Sequence, residues 1–132
     1  MPELPDVALY VEALEQRIHG RVLEGVRLKS AFLVRSAVPP LATASGRSVT
    51  DLRRLGKRLV IALGPRPDGN GPPQLQLLLH LMIAGRLHWK ARGAALTRRT
   101  DLAAFDFDAG SLVLTEAGTK RRAALHVVEG AA

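Results

Sequence analysis

Arg58-Leu59-Val60-Ile61-Ala62-Leu63, then Gly64-Pro65-Arg66-Pro67-Asp68-Gly69-Asn70-Gly71-Pro72-Pro73, then Leu75-Gln76-Leu77-Leu78-Leu79-His80-Leu81 is the stretch whose reading decides the fold. Two apolar runs stand on either side of a connection. Each run is too short for an ordinary helix and has the length of a strand. The connection holds so much Gly and Pro that neither helix nor strand continues through it. The second run is nearly all apolar, which predicts a strand buried on both faces or covered by a helix.

The same grammar continues outward on both sides. Upstream, residues 49–55 form another strand, separated from 58–63 by Gly56. Residues 37–46 contain Pro39 and Pro40 and read as a loop with room for a short helical turn. Residues 21–29 alternate loosely, with Val22, Val26 and Leu28 apolar, and read as one strand. Downstream, 87–89 is a strand, followed by a polar stretch through Thr100. Residues 103–108 and 112–115 flank Asp108-Ala109-Gly110-Ser111, a hairpin turn, and 125–128 is a last strand. Only the front differs. Val7, Tyr10, Val11, Leu14 and Ile18 recur at three- and four-residue steps, which predicts a helix over 5–18. Pro5 is tolerated in its first turn, Asp6 complements the positive end of its dipole, and Gly20 stops it. The expectation is a mainly β domain with flanking α: an antiparallel β-sandwich of about seven or eight strands with an N-terminal helix beside it.

Bulk numbers bound the partner. The chain has 132 residues, 47% hydrophobic, enough for one core, so residues 1–132 read as one domain. Its 19 basic against 12 acidic residues give a net charge of +7. Fifteen of the basic residues are Arg, whose planar fork suits phosphate oxygens. The excess favours a polyanionic partner, because each neutralised phosphate releases counterions. Cys is absent, which excludes disulfides and thiolate metal sites, and the four His lack close zinc-ligand spacing. No metal and no cofactor is expected in this chain. No basic segment followed by an apolar run marks a signal peptide, and the apolar stretches are only strand length. These readings predict a soluble protein of the cytoplasm, in a bacterium the cytosol or nucleoid, without a membrane partner.

The chemistry concentrates in Met1-Pro2-Glu3-Leu4-Pro5-Asp6. Processing normally removes an initiator Met before a small residue, which leaves Pro2 with a free secondary amine. An α-amino group titrates near 8, against about 10.4 for Lys, so a useful fraction is neutral at physiological pH. The adjacent helix terminus pushes the amine further toward neutral, while the Glu3 carboxylate pulls the other way. A neutral amine attacks electrophilic carbon to form an iminium, and a neighbouring carboxyl can move the proton involved. The plain alternative is an incidental terminal Pro followed by an ordinary first-turn acid.

Pro2-Glu3-Leu4-Pro5-Asp6-Val7 resembles the Pro-Glu-Leu-Pro-Glu-Val start of the formamidopyrimidine-DNA glycosylase/endonuclease VIII family after Met removal. Two further segments match in order. Arg53-Arg54-Leu55-Gly56-Lys57-Arg58-Leu59 resembles the family's Arg-Arg-x-Gly-Lys-aromatic-Leu strand. Leu79-His80-Leu81-Met82-Ile83-Ala84-Gly85-Arg86-Leu87 resembles its Ile-His-Leu-Gly-Met-Ser-Gly-x-Leu segment. The resemblance spans about residues 2–128.

The resemblance implies a base-excision glycosylase with AP lyase activity. Pro2 would attack C1′ of the damaged nucleoside, Glu3 would protonate the opening sugar, and Lys57 would hold phosphate beside the lesion. His80 would contact phosphate too, with Arg54 and Arg58 adding charge. Ile83 would be the apolar wedge that fills the gap left by the extruded nucleotide, with Met82 at the family's glycine position. The implied partner is damaged double-stranded DNA. The sequence departs from the family at Thr115-Glu116-Ala117-Gly118-Thr119-Lys120-Arg121-Arg122-Ala123, where an Asp-Pro-Arg-Arg-Phe-Gly stretch is usual. Lys120, Arg121 and Arg122 keep the positive charge for DNA, but the stacking Phe is absent. This marks a divergent branch and leaves the lesion range open. Relatives in the family continue into a helix–two-turn–helix domain and often a finger. The sequence ends before either, so a C-terminal domain of a parent protein is an expected partner. A non-catalytic DNA-binding module that kept the fold is the alternative reading.

Overall fold

The computed structural model describes residues 4–30, 33–35, 39–82, 84–117 and 122–130, with side chains from residue 9 onward. The helix α1 runs Leu4–Ile18 and ends at Gly20, whose φ of 79° is a conformation that favours glycine. Strands follow: β1 (Val22–Leu23), β2 (Gly25–Leu28), β3 (Arg47–Leu55), β4 (Arg58–Leu63), β5 (Leu75–His80), β6 (Gly85–Lys90), β7 (Asp101–Phe107), β8 (Gly110–Glu116) and β9 (Ala124–Glu129). A 3-10 turn at Leu41–Ala44 occupies the proline loop.

The strands form two antiparallel sheets. One has the order β1-β3-β4-β5-β9 and the other β2-β7-β8-β6. The expected sandwich is present, with nine strands among the described residues instead of seven or eight. The difference lies at residues 21–29. Glu24 breaks that segment, and its two pieces join different sheets: Val22 pairs with Ser48, while Gly25 pairs with Asp106. Leu23 is 1% exposed and Val22 is 44% exposed, so Leu23 is the inward residue of β1.

The core lies between the sheets. Leu59, Ile61 and Leu63 of β4, Leu75, Leu77 and Leu79 of β5, and Leu125 and Val127 of β9 face Phe105, Phe107, Leu112 and Leu114 of the other sheet. Each fully buried Leu or Phe stabilises the fold by about 1.5–3 kcal/mol relative to exposure. On the outer face of β5, Gln76 is also buried and accepts a hydrogen bond from Arg53 Nη2 at 3.4 Å.

Both open sides of the sandwich are closed. On one side lies α1. Its Leu14 and Ile18 enter the core, His19 Nε2 bonds the carbonyl of Thr50 at 3.1 Å, and Arg17 stacks over Trp89 at 5.5 Å. Tyr10 Oη takes the backbone N–H of Leu87 on the edge strand β6 at 3.4 Å, which blunts that edge. On the other side Val34 bridges to Leu125 of β9. Arg47 is wholly buried, with no carboxylate partner among the described residues. Its Nε donates to Thr43 O at 2.7 Å, and its Nη1 donates to Gly64 O at 2.9 Å and Pro72 O at 2.7 Å. It thereby pins both ends of the Gly/Pro connection, and burial lowers its pKa, with Arg66 adding to the effect.

Candidate nucleic-acid interface

Sheet register assembles the site. Arg58 pairs with His80, and His80 pairs with Ala124, so three strands end on one line. Leu79 faces the core, and alternation therefore sends His80 to the outer face, with Arg58 beside it. The β3–β4 turn closes with Leu55 opposite Arg58, which leaves Gly56 and Lys57 at its tip. Gly56 has φ 63°, a conformation that costs glycine little, and Lys57 is exposed. Arg54 Nη1 donates to Gly56 O at 3.3 Å and braces the turn. Arg122 is exposed and lies two residues before Ala124, at the same end.

The imidazole of His80 is held below its ordinary value of 6.5, first by burial and then by the charges of Arg58 and Lys57. A half-buried, neutral ring between two cations is a hydrogen-bond donor poised to gain a proton once an anion arrives.

Two turns complete this end. Between β5 and β6 the backbone closes with Gly85 N–H on Leu81 O at 2.9 Å. A Cβ on Gly85 would lie 2.2 Å from that oxygen, so the turn admits no side chain there. Met82 has φ 60°, unusual for a residue other than glycine, and this is the position where the family motif carries glycine. The β8–β9 connection is anchored by Glu116, which is 1% exposed. Its carboxylate accepts the backbone N–H of Arg122 on both oxygens at 3.0 Å, and that of Ala123 at 3.0 Å. Glu116 also pairs with Gly85 across β8 and β6, so both turns are fixed at one node.

In the direction of its N-terminus, α1 runs toward this end. Gly20 N–H bonds Val49 O, so the helix finishes beside the beginning of β3 and runs back along it. Arg17 lies over Trp89 and Tyr10 meets the N–H of Leu87, so toward its N-terminus the helix runs to the Gly85 end of β6, the end that follows His80.

Lys57, Arg54, Arg58, His80 and Arg122 are thus gathered at one end of the molecule. Pro2, Glu3, Ile83, Lys120 and Arg121 lie outside the described residues. Sequence reasoning missed the anchoring role of Glu116, because its partners are backbone groups six and seven residues ahead and leave no side-chain signature. Its only signal was an acid closing an apolar strand before a basic segment. A cavity of about 620 Å³ lined by Asp51, Arg53, Gln76 and Pro73 sits at the opposite end of the same sheet, where Leu63 pairs with Leu75. Among the described residues no group of three His, Cys, Asp or Glu could hold a metal ion. None of the described helices is long and apolar enough to cross a membrane.

Comparison with known proteins gives a consistent result. The profile described as "Formamidopyrimidine-DNA glycosylase N-terminal domain" matches residues 1–124. The formamidopyrimidine-DNA glycosylase of Mycoplasma genitalium is 28% identical over 113 residues, covering 84% of this chain and 37% of that protein. That of Rickettsia conorii is 30% identical over 115 residues, covering 86% and 39%. Among solved structures, Lactococcus lactis Fpg (MutM) in complex with an oxidized-pyrimidine-containing DNA superposes with a TM-score of 0.81 at 21% identity, covering 97% of this chain and 44% of that one. MutM in complex with carbocyclic 8-oxo-G containing DNA gives 0.81 at 21%, covering 97% and 45%. These structural likenesses show the shared fold. The chain spans less than half the length of the curated relatives and structures it matches.

Proposed function

The chain belongs to the formamidopyrimidine-DNA glycosylase family, of which it carries the N-terminal domain, and from that premise we propose that it is the catalytic half of a base-excision DNA glycosylase with AP lyase activity. The observation that carries this reading is the gathering of Lys57, Arg58, His80 and Arg122 at one end of the sandwich, the end toward which α1 runs in the direction of its N-terminus. In this reading the amine of Pro2, two residues ahead of α1, acts among these phosphate-binding groups.

In this reading Pro2 is the nucleophile. Its nitrogen lone pair forms a bond to C1′ as the C1′–base bond breaks and the base leaves with the electron pair. Glu3 takes the proton from the newly bonded nitrogen and gives it to the ring oxygen as the sugar opens, which leaves an iminium at C1′. Loss of a proton from C2′ then expels the 3′-phosphate and nicks the strand. Lys57, His80 and Arg58 hold the backbone while the nucleotide is extruded, a step that costs a few kcal/mol. Ile83 supplies the apolar wedge.

The experiment is borohydride trapping on abasic-site duplex. Protein starting at Pro2 should give a covalent adduct, and protein that retains Met1 should give none. Binding without trapping by the Pro2-initiated protein would overturn the catalytic reading in favour of a DNA-binding module that has lost the chemistry. Equal trapping by both forms would overturn Pro2 as the nucleophile.

A further inference from the structure

The four-stranded sheet carries a second basic cluster that the lesion-facing end does not use. Gly85 and Leu87 of β6 are buried, so alternation sends Arg86, His88 and Lys90 to the outer face. They span about 13 Å along the strand. His88 is exposed, and its Nε2 lies in hydrogen bond with Thr115 Oγ1 at 3.0 Å. Arg86 pairs with Thr115 in the register, so the hydroxyl sits within the row.

A fourth cation is delivered by the chain itself. Residues 91–100 cross the outer face of this sheet from β6 to β7, passing β8, whose outward Val113 is buried. The strap is fastened at several points. Gly93 N–H donates to Ser111 Oγ at 2.9 Å, and Arg27 Nη1 donates to Ala94 O at 2.8 Å. Lys29 bonds the carbonyl of Arg98, and Arg98 N–H donates to Asp101 Oδ2 at 2.9 Å. These contacts fix the backbone of Arg98 while its exposed side chain joins the row.

We infer that Arg86, His88, Lys90 and Arg98 form a second contact site for the phosphodiester backbone of duplex DNA, distinct from the lesion-facing end. The choice of DNA as occupant rests on the function proposed above. Three cations act on one imidazole. His88 is held below its ordinary 6.5 by burial first and then by Lys90, Arg98 and Arg86, against a raising influence from Asp101. The acids nearby, Asp101 and Glu116, are buried, so the face offered to solvent is positive. A row of cations with a hydroxyl and a protonatable ring along an edge strand suits successive phosphates, which are read without sequence preference.

The test compares three proteins on undamaged duplex over a range of salt: wild type, Lys57→Ala, and the triple variant Arg86→Gln/Lys90→Gln/Arg98→Gln. The salt dependence of log K should flatten by about one unit for Lys57→Ala. It should flatten by about two to three units for the triple variant, which should still trap abasic duplex. In the wild type, duplex should also move the NMR titration midpoint of His88 upward, a readout that does not depend on the variants folding. An unchanged salt slope in the triple variant together with an unmoved His88 midpoint would overturn the second site while Lys57→Ala still upheld the first. A wild type that fails to bind duplex at low salt would overturn both.

Discussion

Glu116 holds Arg122 by its backbone, taking one N–H on both carboxylate oxygens at 3.0 Å from a position that is 1% exposed. The pair joins the end of β8 to the beginning of β9, across the two sheets. Hydrogen bonds to a charged acceptor are worth about 1.5–3 kcal/mol each. Glu116→Ala is expected to lower stability by about that amount and to weaken duplex binding, because Arg122 loses its anchor. Glu116→Gln, which keeps one carbonyl oxygen, should recover part of both. Urea unfolding and duplex titration on the two variants check this. A Glu116→Ala protein of unchanged stability would refute the anchor.

The depressed titration of His80 fixes a direction for pH. A phosphate against the ring raises its pKa, so binding takes up a proton and affinity should increase as pH falls below about 7. The gain levels off below the value of the free protein. His80→Gln should remove this component. Folding runs the other way. Because the folded value lies below the unfolded 6.5, stability is undiminished above 6.5 and falls as pH drops through the folded value. His88 shares the sign. A His80→Gln/His88→Gln protein should therefore lose stability less steeply between about pH 6.5 and 5 than the wild type. Fluorescence-detected unfolding at stepped pH gives the slope.

Gly85 and Met82 make the β5–β6 turn a place where small changes have opposite signs. Gly85→Ala would place a methyl 2.2 Å from a backbone oxygen, and backbone cannot give way as a flexible side chain does. A loss of about 1–3 kcal/mol is expected, with trapping on abasic duplex reduced beyond what the remaining folded fraction explains. Met82→Gly relieves a left-handed residue and should stabilise by about 1 kcal/mol. It leaves the wedge residue Ile83 in place, so trapping on abasic duplex should not fall. Thermal melts and trapping yields on both variants separate the two effects.

Arg47 offers a contrast at the far end of β3. Arg47→Met keeps the aliphatic stem but leaves the carbonyls of Thr43, Gly64 and Pro72 without their donor. Each unsatisfied acceptor costs about 1–3 kcal/mol when buried. The variant should lose stability, and limited proteolysis should cut first within residues 64–73. Its salt dependence of duplex binding should match that of the wild type.

Most of the strands were readable from the sequence because their cues are local. Residues 58–63 emerged with their true boundaries, since Gly56 on one side and Gly64 on the other leave a strand no other limits. Strands 87–89 and 103–108 were placed correctly in kind but short or shifted at the ends, where Gly85 and Asp101 carry no β signal. The break at Glu24 was hidden because apolar alternation runs on through Val22, Val26 and Leu28 while the chain changes sheets. Only partners some 25 and 80 residues away decide that Leu23 turns inward. The site divides the same way. Lys57 and His80 stood in recognisable motifs. The row of Arg86, His88, Lys90 and Arg98 depends on the strap crossing β8, which local spacing does not reveal.

The sheet switch at Glu24 also sets a timetable for synthesis. Gly25 is made early, yet its partner Asp106 follows about 80 residues later, about 4–16 s at ribosomal speeds of about 5–20 residues per second. Throughout that interval β2 has no strand to pair with, while β3, β4 and β5 can already zip as consecutive hairpins. The growing chain therefore carries an unsatisfied strand edge on the ribosome until β7 emerges, and chaperone dependence in the cell would be concentrated in that window.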